Sequence, residues 1–441
     1  MGTYKTKAKK ERAVLVGTEI RGEMALLSAE DSLEELARLA DTAGLKVVGA
    51  ALQKLDQPNT ATYIGQGKVQ EVKAMVLELD ATVIVFDDEL QPRQQRSLEK
   101  EFGDEEIKVL DRTALILDIF AQHAQTREGK LQVELAQLEY RIPRLTRMWT
   151  HLARQAGTGG GAGGSVGLRG PGETQLEMDR RMINKRVSHI KGELEDVMAH
   201  RTRHRSKRQQ TALQTVAIVG YTNAGKSTLL NRLSNAKVLS ADMLFATLDP
   251  TTRRVRMPGG RDVLFTDTVG FIQKLPTDIV AAFRATLEEI IEADILLHVI
   301  DATHPNVDAQ IESVLDTLAE LEVEHYPMVY AFNKIDALPE GMTIEDLPKV
   351  DSWTVHVSAH TGKGVEDLRE AVFQAVQSTY TKIEIKLPYD RGDLVNLFHE
   401  RGLVDLEAYE EDHVAMQGRI PPRLMSYFNQ FTEEGEYWSE I

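Results

Sequence analysis

The eight residues Gly220–Ser227 restrict the fold of this chain more than any other stretch. They read Gly-Tyr-Thr-Asn-Ala-Gly-Lys-Ser and fit the phosphate-binding pattern G-x-x-x-x-G-K-[ST]. The apolar run Thr215–Val219 before them predicts a strand, and Lys226–Leu233 after them predicts a helix. Glycines let backbone N–H groups turn toward phosphate oxygens, and the helix N-terminus adds partial positive charge. This strand–loop–helix order favours a phosphate cradle over a simple glycine turn and predicts an α/β fold.

A second segment, Asp267–Gly270, supplies further groups for the phosphate end of the site. It reads Asp-Thr-Val-Gly and ends the predicted strand Val263–Asp267. Lys226 would neutralise the β- and γ-phosphates, and the Ser227 hydroxyl would ligate Mg²⁺. Asp267 would hold the metal through water, and the Gly270 N–H would face the γ-phosphate. We therefore predict a magnesium-assisted phosphate site with Lys226 and Gly270 in catalytic roles.

Two later segments predict which base is bound. Asn333-Lys334-Ile335-Asp336 follows the apolar run Pro327–Phe332, and Ser358-Ala359-His360 follows Thr354–Val357. The Asp336 carboxylate can accept from the ring N–H and the exocyclic amine of guanine, whereas adenine offers no such pair of donors. Backbone groups of Ser358–His360 would contact the guanine oxygen. Because a site built on paired hydrogen bonds rejects an analogue that lacks them, the sequence predicts a guanine-nucleotide site.

The order of these motifs resembles that of the TRAFAC translational GTPases, and within them the Obg–HflX group. The run Phe245–Arg253 is similar to the first switch of that group. The resemblance implies that Thr247 reaches Mg²⁺ in the GTP state and takes part in catalysis, while spacing alone leaves Thr251 and Thr252 as alternatives. The expected GTP contacts are Gly220, Tyr221, Thr222, Asn223, Ala224, Gly225, Lys226, Ser227, Thr228, Phe245, Ala246, Thr247, Leu248, Asp249, Asp267, Thr268, Val269, Gly270, Asn333, Lys334, Ile335, Asp336, Ser358, Ala359 and His360. The expected metal-side residues are Ser227, Thr247 and Asp267.

Two residues in these motifs bear on the rate of hydrolysis. Ras-like switches place a glutamine directly after Asp-x-x-Gly to orient the attacking water, whereas this chain has Phe271. A phenyl ring makes no such hydrogen bond, so we expect slow intrinsic hydrolysis that a partner stimulates. Asn223 resembles the asparagine with which several related GTPases hold K⁺ beside the phosphates. An asparagine that only caps a turn is the alternative, so K⁺ remains an open cofactor.

Composition and charge limit the remaining possibilities. The chain of 441 residues is long enough for about three domains. It has no cysteine, and no apolar run approaches the roughly 20 residues that cross a bilayer. We expect a cytoplasmic protein, monomeric when free, that does not span a membrane, and peripheral membrane association stays open. The formal charge is −16, yet residues 141–208 carry 15 Lys/Arg against 6 Asp/Glu.

That basic segment is predicted to form a helical arm. Ile183, Val187, Ile190, Leu194 and Val197 repeat at alternating four- and three-residue steps, which is typical of a helix that pairs with another helix. Leu131, Leu135, Leu138 and Ile142 have helical spacing up to Pro143, so we predict an antiparallel hairpin. A run of charged residues is often only a solvent-exposed face. Here the basic residues cluster in one segment of an otherwise acidic chain, which favours contact with RNA. The candidate RNA contacts are Arg154, Arg169, Arg180, Arg181, Arg201, Arg203 and Arg205.

A glycine-rich stretch, Gly157–Gly172, lies between the two predicted helices. It contains nine glycines and follows no strand, so it is not a dinucleotide-binding fingerprint. It is either a passive linker or a functional loop tip. The runs Asp111–Phe120, Gly129–Ala136 and Gly170–Glu177 with Arg180 and Arg181 resemble the HflX family. In that family the matching loop reaches toward the peptidyl-transferase region of the large ribosomal subunit.

The two ends of the chain carry weaker signals. Predicted strands at Ala13–Gly17, Lys46–Leu52, Thr82–Phe86 and Lys108–Leu110 alternate with helices at Asp31–Ala43, Gly67–Leu79 and Pro92–Phe102, which favours a parallel sheet. Tyr63–Lys68 lacks the spacing of a phosphate loop and is interpreted as a helix-entry turn, so ATP binding by this part is not indicated. Residues 384–441 carry 5 basic and 13 acidic side chains, which disfavours phosphate binding there.

The resulting architecture is a multidomain α/β protein. It has an N-terminal α/β domain with a parallel sheet (1–125), a helical hairpin arm (126–210), a P-loop Ras-like GTPase domain (211–380) and a small C-terminal α/β domain (381–441). The resemblance implies a GTPase that binds the large ribosomal subunit and its rRNA and splits stalled or idle ribosomes. The alternatives are a ribosome-assembly or signalling GTPase without splitting activity, and an ATP-dependent RNA-remodelling factor.

Overall fold

The computed structural model describes residues 10–22, 26–103, 107–147, 171–210, 213–236, 244–274, 284–323, 325–350 and 353–432. They divide into two compact units. The first comprises Met1–Met198, Ala241–Asp249 and Ile272–Ala285, and the second comprises Ala199–Ser240, Pro250–Phe271 and Thr286–Ile441. Two short segments next to the phosphate motifs therefore belong to the first unit. The bounds of the four predicted domains stay predictions.

The secondary structure of the described residues follows the alternation expected of an α/β protein. The strands are β1 Arg12–Ile20, β2 Lys46–Leu55, β3 Val83–Phe86, β4 Lys108–Asp111, β5 Thr215–Val219, β6 Thr251–Arg256, β7 Asp262–Asp267, β8 Ile295–Asp301, β9 Met328–Asn333, β10 Trp353–His356, β11 Thr381–Pro388, β12 Leu403–Tyr409 and β13 His413–Ile420. The α-helices are α1 Ala29–Thr42, α2 Gln66–Glu78, α3 Pro92–Phe102, α4 Arg112–His123, α5 Arg127–Arg141, α6 Pro171–Gln210, α7 Lys226–Leu233, α8 Arg284–Ile291, α9 Val307–Glu320, α10 Val365–Ser378, α11 Gly392–Arg401 and α12 Met425–Phe428.

The first unit is built on a four-stranded parallel sheet, as predicted. Its strand order is β2-β1-β3-β4, and helices connect successive strands. All four residues of β3 are buried, which is typical of a parallel strand covered on both faces. The sheet core includes Val14, Ile84 and Phe86, with Leu98 from α3 packed against them. The alternation of strands and helices in the sequence therefore predicted a parallel sheet, but not its strand order.

A buried ionic cluster lies in this unit after β3. Arg112 is 1% exposed and donates to Asp87 Oδ1 at 2.7 Å and to Glu35. Lys274 donates to Asp87 Oδ2 and to Asp88 Oδ1, each at 2.5 Å. Burial alone would raise the pKa of Asp87, but the charges of Arg112 and Lys274 outweigh it and lower that pKa below its ordinary value. The cluster thus holds residue 274, which follows the Asp267–Gly270 segment, on the first unit.

The predicted helical arm is present in part. Helix α5 packs against α6 through Leu131, Leu135 and Ile190, with Leu138, Val187 and Leu194 at the edges. After α5 the chain continues as a 3-10 helix, Ile142–Arg147, which agrees with the interruption predicted at Pro143. Residues 148–170, including most of the glycine-rich stretch together with Arg154 and Arg169, lie outside the described residues.

The basic side chains of the arm fall into two groups: some pair with acidic residues of the facing helix, and others are exposed. Arg186 forms a two-pronged ion pair with Glu134 at 2.7 and 2.6 Å, and Lys191 pairs with Glu139 at 2.9 Å. These two basic side chains therefore join the helices. Arg180 and Arg181 have exposed side chains on α6. Arg201, Arg203 and Arg205 also lie on α6, but their side chains are not among those that the structure describes.

The second unit contains the predicted nucleotide fold and a small C-terminal sheet. Its six-stranded sheet has the order β10-β9-β8-β5-β7-β6, and β6 is antiparallel to its neighbour β7. The C-terminal sheet, β11-β13-β12, is antiparallel, and alternate residues of β11 are buried. Phe428 lies in its core against Phe398. No helix among the described residues has both the length and the apolar character needed to cross a bilayer.

Candidate functional site

The phosphate loop has the backbone geometry that its glycines predict. Strand β5 ends at Val219 and helix α7 begins at Lys226, so the loop joins a strand to a helix N-terminus. Gly220 has φ of 146°, and a Cβ there would lie 2.2 Å from the Val299 carbonyl oxygen. Gly225 has φ of 95°, and a Cβ there would lie 2.3 Å from Asn333 Nδ2. Since neither contact can be relieved, both positions require glycine.

Lys226 is buried beneath this loop. Its Nζ donates to the carbonyl oxygens of Gly220 at 3.0 Å and Tyr221 at 2.8 Å. Burial lowers the pKa of Lys226 to about 8, and the nearby Asp267 only partly opposes that effect. The same region contains His298, whose pKa burial and Lys226 lower to about 3, so this imidazole is neutral at pH 7. The ammonium of Lys226 is therefore poorly compensated, and a phosphate would stabilise its charged form.

Nucleotide binding should consequently take up a proton at alkaline pH. A Lys226 pKa of about 8 in the free protein leaves about 0.1 of the side chains protonated at pH 9, and binding of phosphate should restore nearly the full charge. We expect an uptake of about 0.9 proton per GDP at pH 9 and much less at pH 7. Calorimetric titration in buffers of different ionisation enthalpy measures this uptake. The Lys226→Met protein is the control, and equal uptake by both proteins would contradict the assignment.

The predicted metal-side residues of the second unit lie together. Ser227 Oγ donates to Asp267 Oδ2 at 2.7 Å, and Asp267 is buried at the end of β7. A hydroxyl and a carboxylate are hard oxygen donors of the kind Mg²⁺ prefers, so these residues fit the ion. A Cβ on Gly270 would lie 2.9 Å from both Lys226 Nζ and Thr222 Cα. The Gly270 backbone is therefore beside the phosphate loop, as its predicted role requires.

The residue after Gly270 joins this segment to the phosphate loop. Thr222 N–H donates to the Phe271 carbonyl at 2.8 Å, and Phe271 N–H donates to the Gly220 carbonyl at 3.0 Å. Thr268 Oγ1 donates to the Ile218 carbonyl at 2.7 Å, which anchors the same segment to β5. The Phe271 side chain is buried. Phe271 thus has a structural role, and its ring offers no group that could orient water.

Asn333 connects the base end of the site to the phosphate loop. Its Nδ2 donates to the Ala224 carbonyl at 2.9 Å, and its Oδ1 accepts from Ala359 N–H at 2.9 Å. The side chain is buried, so both hydrogen bonds are protected from water. Lys334, with φ of 67°, donates to Asp301 Oδ2 at 2.6 Å. The three predicted motifs are therefore brought together by one asparagine side chain.

Asp336 lies at the start of the segment after β9. A hydrogen bond from Ser358 is the main cause that lowers the pKa of Asp336, and His360, whose Nδ1 lies 3.6 Å from Asp336 Oδ2, contributes further. The carboxylate is thus ionised at neutral pH and acts only as an acceptor. Arg232 of α7 donates to the Ala359 carbonyl at 3.0 Å and to the His360 carbonyl, which fixes the backbone of this loop. The arrangement suits the two donors of guanine.

Residues 245–249 of the predicted first switch belong to the first unit, whereas residues 250–253, with Thr251 and Thr252, belong to the second. Phe245 is buried, and its ring lies edge-on to that of Phe120 with the two ring centroids 4.7 Å apart. The carbonyl oxygen of Phe245 is 2.8 Å from His123 Nδ1. Asp249 accepts from the N–H groups of Gln125 and Thr126, each at 2.8 Å. Thr247 is partly exposed between these two anchors. The contacts of Phe245 and Asp249 with the first unit were not predicted, because no local pattern relates these distant parts of the chain.

The fold and the site together define a P-loop GTPase. Family models match most of the chain: "GTP-binding GTPase N-terminal" at residues 30–121, "GTP-binding GTPase Middle Region" at 123–208 and "50S ribosome-binding GTPase" at 215–334. The chain is 45% identical to GTPase HflX of Lacrimispora saccharolytica over 94% of this chain and 95% of that protein. It is 43% identical to GTPase HflX of Escherichia coli K12 over 89% of this chain and 90% of that protein.

The chain belongs to the HflX family of GTPases, and the predicted resemblance is confirmed. Among solved structures it is similar to a GTP-binding protein of Sulfolobus solfataricus in complex with GDP. That similarity has a TM-score of 0.43 and 24% identity, and it covers 83% of this chain and 98% of that chain.

Proposed function

We propose that this GTPase binds the large ribosomal subunit and splits stalled or idle ribosomes into subunits in the cytoplasm. The observation that carries the proposal is the match of residues 215–334 to a model described as a 50S ribosome-binding GTPase. A helical arm with exposed Arg180 and Arg181 adds a surface that could contact rRNA phosphates. The nucleotide would act as the switch, and the arm as the ribosome-facing element.

GTP hydrolysis to GDP would use the residues assembled at the phosphate loop. Lys226 would neutralise the β- and γ-phosphates, Ser227 and Asp267 would hold Mg²⁺ on one side, and Thr247 would reach it from the first switch. The Gly270 N–H would contact the γ-phosphate. Mg²⁺ would neutralise charge that develops on the transferred phosphoryl group. The protein groups would orient the phosphates and exclude bulk water.

Intrinsic hydrolysis should be slow, because the buried Phe271 provides no group to position water. We infer that the ribosome supplies a group that positions the attacking water and so raises the rate.

Asn223 adopts a left-handed conformation with φ of 62° and is exposed, which leaves its side chain accessible to K⁺. Turnover measured with and without ribosomes, in K⁺ and in Na⁺ at equal ionic strength, separates the two contributions. Equal turnover with and without ribosomes would contradict the ribosomal part.

Sedimentation of purified ribosomes tests the proposed activity directly. We expect the protein with a non-hydrolysable GTP analogue to convert 70S particles into subunits and to remain bound to the large subunit. With GDP, the ribosomes should stay intact. Binding without dissociation would instead indicate an assembly or signalling GTPase. An ATP-driven RNA-remodelling activity that persists in Lys226→Met would indicate the third alternative.

A matched pair of variants tests the arm in the same assay. Arg180→Glu/Arg181→Glu reverses two exposed charges, whereas Arg186→Met removes a charge that is already paired with Glu134. Loss of phosphate contacts should weaken ribosome binding by on the order of tenfold for the double variant. Arg186→Met should bind ribosomes nearly as well as the wild type. An equal effect of both changes would count against phosphate contact by this face.

A further inference from the structure

A three-donor contact holds Asp249 at the N-terminus of arm helix α5. The carboxylate accepts from Gln125 N–H and Thr126 N–H, each at 2.8 Å, and from the Thr126 hydroxyl. Thr126 is the N-cap residue of α5, and its Oγ1 accepts from Gly129 N–H at 3.0 Å. A continuous hydrogen-bond chain therefore runs from the first turn of α5 through Thr126 to Asp249. Negative charge is favourable at this end of a helix.

Gly129 shows that the contact is closely fitted. A Cβ at this position would lie 2.5 Å from Asp249 Oδ1 and 3.3 Å from Thr126 Oγ1. The backbone of Gly129 lies inside a helix, where alanine would ordinarily be preferred over glycine. The absent side chain therefore makes room for the Asp249 carboxylate. Sequence patterning gave no reason for a glycine here.

The same segment is anchored a second time, four residues earlier. Phe245 contacts Phe120 and His123 at the C-terminal end of α4, whereas Asp249 contacts the N-terminal end of α5. Residues 245–249 thus span the α4–α5 junction, with Thr247 between the two anchors. A change in the position of Thr247 would therefore act on both anchors. Helix α5 in turn packs on α6 through Leu131 and Leu135.

We propose that Asp249 is a positioning residue that transmits the nucleotide state of residues 245–249 to the helical arm through the N-terminal cap of α5. The inference rests on the proposed function only in that it takes Thr247 as nucleotide-responsive. It assigns Asp249 a role in helix capping besides any contact with GTP. Thr126 and Gly129 complete the relay, and neither belongs to the nucleotide site.

Hydrogen–deuterium exchange of the full-length protein tests the relay without ribosomes. In the wild type, amides of Arg127–Lys130 should exchange at rates that differ on the order of fivefold between GDP and a non-hydrolysable GTP analogue, as expected when a helix cap is gained or lost. Thr126→Val and Gly129→Ala should abolish that difference and leave GTP affinity within a few-fold of the wild type. Thr126→Ser, which keeps the hydroxyl, should restore the difference.

Gly192→Ala is the matched control, because Gly192 is also a helical glycine of the arm but a Cβ there meets nothing within 4 Å. This variant should retain the nucleotide-dependent difference at α5. Equal exchange of Arg127–Lys130 in the two nucleotide states of the wild type would overturn the relay. Retention of the difference in both Thr126→Val and Gly129→Ala would also overturn it. Failure to split ribosomes together with an intact exchange response would instead refute only the proposed function.

Discussion

Replacing Asp336 by asparagine should change the preferred base from guanine to xanthine. The amide offers one acceptor and one donor, whereas guanine presents two donors to this position. Loss of charge-assisted hydrogen bonds worth about 1.5–3 kcal/mol each should weaken GTP binding by on the order of 100-fold. Xanthine carries an oxygen in place of the exocyclic amine, so the introduced amide can donate to that oxygen and accept from the ring N–H. Titration with fluorescent GDP and xanthosine diphosphate measures both affinities.

A charge-matched control separates base recognition from a general effect of charge. Asp308→Asn removes an exposed carboxylate in the first turn of α9 in the same unit and should leave both affinities unchanged. Thermal unfolding should show that Asp336→Asn remains folded, because this side chain is at the surface and not in the core. Unchanged GTP affinity in Asp336→Asn would mean that residue 336 does not read the base.

Replacing Lys226 by methionine should abolish function at the phosphate end. Methionine fills a similar volume without the charge, so the GTP affinity should fall by on the order of 100-fold and hydrolysis should become undetectable. Folding should be preserved, because burial of the ammonium costs desolvation free energy, which lowers the pKa of Lys226 to about 8. The uncharged methionine carries no such cost. Nucleotide binding and single-turnover hydrolysis are the measurements, with thermal unfolding as a check on stability.

An exposed lysine of the same unit provides the control. Lys382→Met on β11 removes one positive charge at the surface of the C-terminal sheet and should not change either measurement. A Lys226→Met protein that still hydrolyses GTP at the wild-type rate would exclude Lys226 from the chemistry. Loss of hydrolysis with undiminished GTP affinity would restrict Lys226 to a role in the transition state.

Much of the local geometry of the candidate site could be predicted because its residues follow local rules. Gly220, Gly225 and Lys226 occupy fixed positions between a strand and a helix, and Asn333 and Asp336 directly follow a buried strand. Each motif therefore predicts its own local structure. Because the strands are parallel, their carboxyl ends lie at the same edge of the sheet, which brings the motifs together. The parallel order of the first sheet could be predicted for a similar reason, since strands and helices alternate along the chain.

The contacts of residues 245–249 and of Lys274 could not be predicted in this way. Asp249 lies 123 residues from Thr126 in the sequence, and Lys274 lies 187 residues from Asp87. Neither pair shares a periodic pattern, a turn or a motif, so only the folded chain brings them together. The buried Arg112 and His298 were missed because burial of a charged or titratable residue contradicts the usual pattern.

Calorimetric titration of the wild-type protein with GDP and with ADP, in the presence of Mg²⁺, tests most directly whether the assembled motifs form a guanine-nucleotide site. We predict one GDP per chain and binding on the order of 1000-fold weaker for ADP, since adenine leaves the Asp336 carboxylate without its two donors. Equal affinity for the two nucleotides would contradict the assignment of Asp336 and the functional account built on it.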